Sequence, residues 1–188
     1  MRHAVNLLVI VLLSCVFASA QTAADVQNFS RGGVSFDYPK GWTLQEVPND
    51  DALNLVLSRP NNDMQIKIFV HTGRITPEKL PGAKKAFIDP YITANVKQFE
   101  QMSAMPKMSP DTSEIGGVKA EGVNITASLG GETGASKIYW ALLGQRVVVL
   151  TLFGPDRDIK KFSAVWDLVR TTLKIEEPKP AASPSPKP

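Results

Sequence analysis

Cysteine is almost missing from this chain: its 188 residues contain one, Cys15. Cys15 falls inside an N-terminal apolar stretch, so a chain trimmed of that stretch has no disulfide, no thiol nucleophile and no cysteine metal ligand. Histidine is nearly as scarce. His3 and His71 are the two present, and a Ser-His-Asp arrangement beyond residue 20 would have to use His71. An excess of charge of one sign is also lacking. The formal net charge is +3, from 21 basic and 18 acidic residues, and removing Arg2 brings it to +2. No clustered Lys and Arg mark a nucleic-acid surface, and no nucleic-acid partner is expected. After the N-terminal stretch no run approaches the ~18 apolar residues a spanning helix needs, so the mature chain is expected to have no transmembrane span. Catalytic signatures are missing too: there is no G-x-S-x-G elbow, no S-x-x-K and no phosphate loop.

What is present begins with MRHAVNLLVIVLLSCVFASA. Arg2 supplies a positive n-region, Ala4 to Leu13 is an apolar run too short to span a bilayer, and Ala18-Ser19-Ala20 is a small-x-small cleavage pattern. Residues 1–20 therefore read as an export signal cut after Ala20 and recognised through Ala18 and Ala20, which gives a secreted or periplasmic protein beginning at Gln21. The alternative is a lipobox at Leu12-Leu13-Ser14-Cys15, with Cys15 lipidated and tethering the chain to the envelope membrane. Leu13 fits that pattern poorly, and the apolar stretch runs on through Val16 and Phe17 to the better site.

Residues 21–33 read as an N-terminal extension and 34–175 as one domain. At roughly 150 ordered residues such a domain buries about 68–70% of its unfolded surface, enough to stand without disulfides. Val34, Phe36 and Tyr38 alternate with polar residues, as do Leu53, Leu55 and Leu57, and then Ile66, Ile68 and Val70. Thr76-Pro77 starts a helix with Thr76 as N-cap, Pro81-Gly82 interrupts it and Asp89-Pro90 restarts it, with a stripe at Ile92, Val96 and Phe99. Met102 to Pro110 reads as a loop. Strands follow around Gly117–Ser128 and Ser136–Leu143, joined by a flexible glycine-rich hairpin, and Gly144-Gln145 turns into Arg146–Phe153. Val147 to Leu150 are apolar on both faces, as in a well-covered strand. Asp156 caps a last helix whose stripe runs Ile159, Phe162, Trp166, Val169, Leu173. Residues 176–188 are a proline-rich tail without large apolar side chains, expected to be disordered. The fold class is therefore α+β: an antiparallel sheet of about six to seven strands packed between helices, an α/β/α sandwich.

Few residues invite a chemical reading. His71 reads as a surface histidine at a strand end. Asp50-Asp51 and Asn61-Asn62-Asp63 read as turns, without calcium-loop spacing. Asp111, Glu114, Glu121 and Glu132 lie near hairpins, where convergence of two in a cleft would suggest a carboxylate-based hydrolase. Met102, Met105 and Met108 offer soft sulfur to Cu(I) in a periplasmic copper-binding protein; the plainer reading has Met102 closing the helix stripe and the other two filling gaps between loop and sheet. Trp42, Trp140 and Trp166 read as core, and the Lys137, Tyr139, Ala141 face as a place for partner contacts.

The opening Phe36-Asp37-Tyr38-Pro39-Lys40-Gly41-Trp42 and the closing helix from Phe162 to Ile175 are similar to PsbP-like domains. That superfamily shares its fold with the Ran-binding Mog proteins and with bacterial exported proteins of unknown function. The resemblance covers most of Val34–Ile175. It implies a sheet between helices and a protein that binds or assembles others without catalysis or a cofactor, the partner here being another envelope protein. No residue tied to the photosynthetic role has a counterpart by motif.

Overall fold

Alternating apolar side chains build the centre of the molecule. The computed structural model describes residues 25–102 and 104–176; Cys15, Ala18, Ala20 and the tail beyond Glu176 lie outside them. Seven strands form one antiparallel sheet: β3 (Thr43–Glu46), β4 (Ala52–Ser58), β5 (Gln65–His71), β6 (Lys107–Ile115), β7 (Val118–Leu129), β8 (Glu132–Leu143) and β9 (Arg146–Pro155), in the order β3-β4-β5-β9-β8-β7-β6. A smaller sheet has β2 (Val34–Pro39) between β1 (Val26–Arg31) and β10 (Lys174–Ile175). β1 lies inside residues 21–33, the stretch read as an extension. β1 pairs along its whole length with β2 through a turn at Gly32-Gly33.

Among the described residues four α-helices complete it: α1 (Leu80–Ala83), α2 (Asp89–Gln101), α3 (Asp156–Lys161) and α4 (Ser163–Thr172). One face of the large sheet, with Leu55, Ile68, Tyr139 and Leu150, is buried with Val34 and Phe36 of the small sheet and with Ile159, Trp166 and Val169 of α3 and α4. The other face, with Ile125, Ile138, Trp140 and Val149, is buried with Ile88, Ile92 and Phe99. Helices therefore lie on both faces, as the amphipathic stripes require.

The helical segment before α2 is continuous where an interruption was expected. A 3-10 turn at Pro77–Lys79, α1, a π-helical turn at Lys84–Ile88 and α2 follow one another without a break. Each proline sits in the first turn of its piece, where no N–H is needed. The π turn, closed by the Asp89 N–H donating to the Lys84 carbonyl, widens the helix where the Pro90 ring would otherwise meet the preceding turn. Thr76 occupies the cap position without a side-chain cap bond. Asp156 is the first residue of α3 and Pro155 holds its cap position, because the strand runs two residues beyond Phe153. The closing helix breaks at Phe162 (φ −113°), whose ring packs edge-on against Trp42 at 5.6 Å.

The stretch read as a loop after Met102 becomes β6 from Lys107 onward. It is an edge strand, where Pro110 costs no inner ladder bond. The flexible hairpin at 130–134 is instead a tight turn on Gly130-Gly131, both at positive φ, between strands that extend to Leu129 and from Glu132. Positive φ at both central residues is the twist-matched hairpin geometry that paired glycines permit.

Candidate functional site

The two faces of the large sheet are covered unequally. α2 and the turn before it lie over β7, β8 and β9, and the β4 and β5 side of that face is left open. An open cleft of about 390 Å³ results, within the range of small-molecule sites. Register explains its floor. Val56, Lys67 and Thr151 form one row across β4, β5 and β9, and Asn54, Phe69 and Val149 form the next. Phe87 and Tyr91 make the helical wall, and Val47 and Asn49 make the rim at the β3–β4 connection.

The wall is fixed by polar contacts. Tyr91 shares a 3.0 Å hydrogen bond with Thr151 Oγ1. One turn on, Asn95 donates to the Tyr91 carbonyl at 2.9 Å and accepts from Ser136 Oγ at 3.2 Å. Asn95, Ser136 and Thr151 are all buried, so this chain of bonds satisfies groups that would be costly alone. Burial raises the Tyr91 phenol pKa, partly offset by its bonds to Thr151 and Asn95. The Phe87 ring stacks on His71 at 5.2 Å and lies 6.3 Å from Phe69.

Lys67 is the cleft's one charge. Its ammonium lies 5.7 Å from the centre of the Phe153 ring, and no Asp or Glu lines the cleft. Among the described residues it takes part in no salt bridge. Desolvation holds its pKa below the ordinary lysine value. The cleft thus offers an apolar floor, amides at the edge and an uncompensated cation.

The residues singled out from sequence are placed elsewhere. Asp111 accepts a 2.7 Å bond from the Tyr139 hydroxyl on the α4 side of the sheet. Glu114 and Glu121, paired with Lys119 and Thr112, belong to the opposite face. Glu132 sits at the far β7–β8 turn and pairs with Arg157 at 3.0 Å. Glu114 and Glu121 are diagonal neighbours but both are exposed on open sheet, so no two of the four meet in a buried cleft. His71 Nδ1 accepts from the Gly73 N–H at 3.0 Å, a strand-end bond consistent with a structural histidine. Met102, Met105 and Met108 are 37%, 88% and 59% exposed, so Met105 and Met108 do not fill gaps between loop and sheet. They lie on three successive segments, and no group of three His, Cys, Asp or Glu among the described residues is placed to hold a metal. Trp42, Trp140 and Trp166 are buried. Tyr139 and Ala141, read as partner-facing, are only 5% and 4% exposed: both belong to the core on the α3 and α4 side of the sheet, with Trp166 5.8 Å from the Tyr139 ring.

Sequence reading missed the cleft. Its one local signal is Phe69, an aromatic between Lys67 and His71 on the face of β5 that the alternation of Ile66, Ile68 and Val70 assigns to solvent.

No family model matches the chain, and no curated protein matches it in sequence. Solved structures do match. The cyanobacterial PsbP protein CyanoP of Synechocystis sp. PCC 6803 superposes with a TM-score of 0.52 at 12% identity, over 84% of this chain and 96% of that one. A protein of Bacteroides thetaiotaomicron superposes with a TM-score of 0.52 at 16% identity, over 81% of this chain and 49% of its own. The chain has a PsbP-like fold.

Proposed function

We propose that the chain is an exported, non-catalytic binding module and that its binding site is the cleft between α2 and the β4–β5 side of the large sheet. Export is supported by the charged start, short apolar run and Ala18-Ser19-Ala20 of the N-terminal segment. No helix among the described residues is long and apolar enough to cross a membrane. The observation that carries the binding role is the cleft itself: a preformed concave surface of about 390 Å³ with a mostly apolar floor and a few convergent polar groups. The hydrolase reading lacks a cleft: Glu114 and Glu121 share a face of the sheet but are exposed on it. The Cu(I) reading would need three thioethers on one ion, and Lys107 beside them repels a cation.

A photo-crosslinking residue at Asn49 on the rim, expressed in the native envelope, tests both halves of the proposal. The expected result is a trimmed chain beginning at Gln21 that carries an adduct from Asn49 and none from the same label at Lys119, on the far strand β7. Equal labelling at both positions, or at neither, contradicts the cleft as the binding site. A chain retaining residues 1–20 contradicts export by cleavage, and one beginning at a lipidated Cys15 replaces release with a membrane tether.

A further inference from the structure

The cleft's chemistry narrows what it can hold. Along β5 the neighbours of Lys67 on this face are Gln65 and Phe69, and across the ladder they are Val56 and Thr151. None is acidic, and apart from the Phe153 ring, 5.7 Å from the ammonium, neither sheet nor helix brings it a partner: no carboxylate lines the cleft. Thr151 already shares its hydroxyl bond with Tyr91, which leaves Lys67 and the Asn54 amide as the free polar groups on the floor. A half-buried cation without a counter-ion is unfavourable, and a bound anion relieves it. A cationic ligand is repelled there, and a neutral one leaves the ammonium unpaired.

We propose, building on the cleft being the binding site, that its ligand is a small amphipathic carboxylate whose head pairs with Lys67 and whose apolar body lies on Phe69, Val149 and Phe87. A carboxylate fits better than a phosphate. Phosphate sites gather arginines or several backbone N–H groups, and this cleft has one lysine, two asparagines and no arginine. Phe69 and Phe87 supply the apolar surface. The volume, near the lower end of ligand sites, suits a medium-length chain or a single ring system.

The test is a titration of the purified protein with octanoate, octanol, octylammonium and octyl phosphate, followed by the backbone amide shifts of Phe69, Tyr91 and Val149. Octanoate is expected to move these signals and to bind roughly tenfold or more tightly than octanol, the worth of a charge-assisted bond. Lys67→Met is expected to abolish that advantage while leaving signals outside the cleft in place. If that variant does not fold, the ordering of the four probes on the unaltered protein still decides the matter. Octanol or octylammonium binding the cleft as well as octanoate overturns the carboxylate assignment and leaves the cleft standing as a binding site. Octyl phosphate binding more tightly than octanoate also overturns it, in favour of a phosphate head. No shift at Phe69, Tyr91 or Val149 with any probe overturns the cleft as the binding site.

Discussion

Tyr139 lies across Gly122 of the neighbouring strand and donates its hydroxyl to Asp111 on the strand beyond, so that Asp111, Gly122 and Tyr139 form one row across β6, β7 and β8. A Cβ at position 122 would collide with the Tyr139 ring, which makes glycine the residue that lets the ring lie flat there. Burial first, then the bond to Asp111 and its negative charge, push the Tyr139 pKa far above the ordinary 10.0. The neutral phenol is therefore the form the fold favours. Its contribution is complete below the unfolded value near 10.0 and is lost as pH rises through the folded value. Tyr139→Phe is expected to cost about 1 kcal/mol at neutral pH. It should also lose less stability than the unaltered protein above pH 10.0, as measured by urea unfolding at neutral and alkaline pH. Parallel curves for the two proteins would remove the linkage. Tyr139 also shows where reading by residue falls short. Strict alternation gives β8 one buried face, but β8 is an inner strand covered on both, so Tyr139 and Trp140 are buried together. The three tryptophans were legible as core because their bulk decides burial almost regardless of register.

At the level of elements, the α2 wall of the cleft depends on few contacts. Asn95 joins the helix to the sheet by accepting from Ser136 Oγ while donating to the Tyr91 carbonyl. Asn95→Ala leaves the Ser136 hydroxyl without this partner in a buried site, a loss of about 1–3 kcal/mol. Faster amide exchange is expected along α2 than along β7. Unchanged exchange in α2 would show that its apolar stripe alone holds the wall. The stripe at Ile92, Val96 and Phe99 was readable from spacing, whereas its continuity with the preceding segment was not. Pro81-Gly82 looks like a breaker, yet the proline falls in a first turn, where it is harmless. Paired glycines at 32–33, 116–117 and 130–131 carry positive φ at hairpin turns, a local signal that marks all three turns. β6 was missed because Lys107–Ile115 is polar and contains Pro110. An edge strand exposed to solvent needs neither an apolar face nor every N–H.

At the scale of the whole molecule, the α+β class follows from local patterns, since short links force antiparallel pairing and two amphipathic segments require a sheet to cover; the membership of the large sheet does not, because it includes the polar strand β6 and leaves β2 to a smaller sheet. The cleft does not follow from them. Its parts come from four separated places in the chain: Val47 to Val56, Lys67 to Phe69, Phe87 to Tyr91, and Val149 to Thr151. They meet because β5 pairs with β9 instead of continuing the first hairpin series, and because α2 is long enough to cover three strands but not five. A strip of sheet that no helix covers, with a lone cation on it, is a consequence of that topology. The most direct measurement is a crystal structure of the protein grown with octanoate. The account predicts the ligand in the cleft, its carboxylate within roughly 2.7–3.2 Å of Lys67 Nζ and its chain on Phe69 and Val149. A cleft filled by the protein's own side chains, or octanoate bound elsewhere with Lys67 turned to solvent, would contradict it.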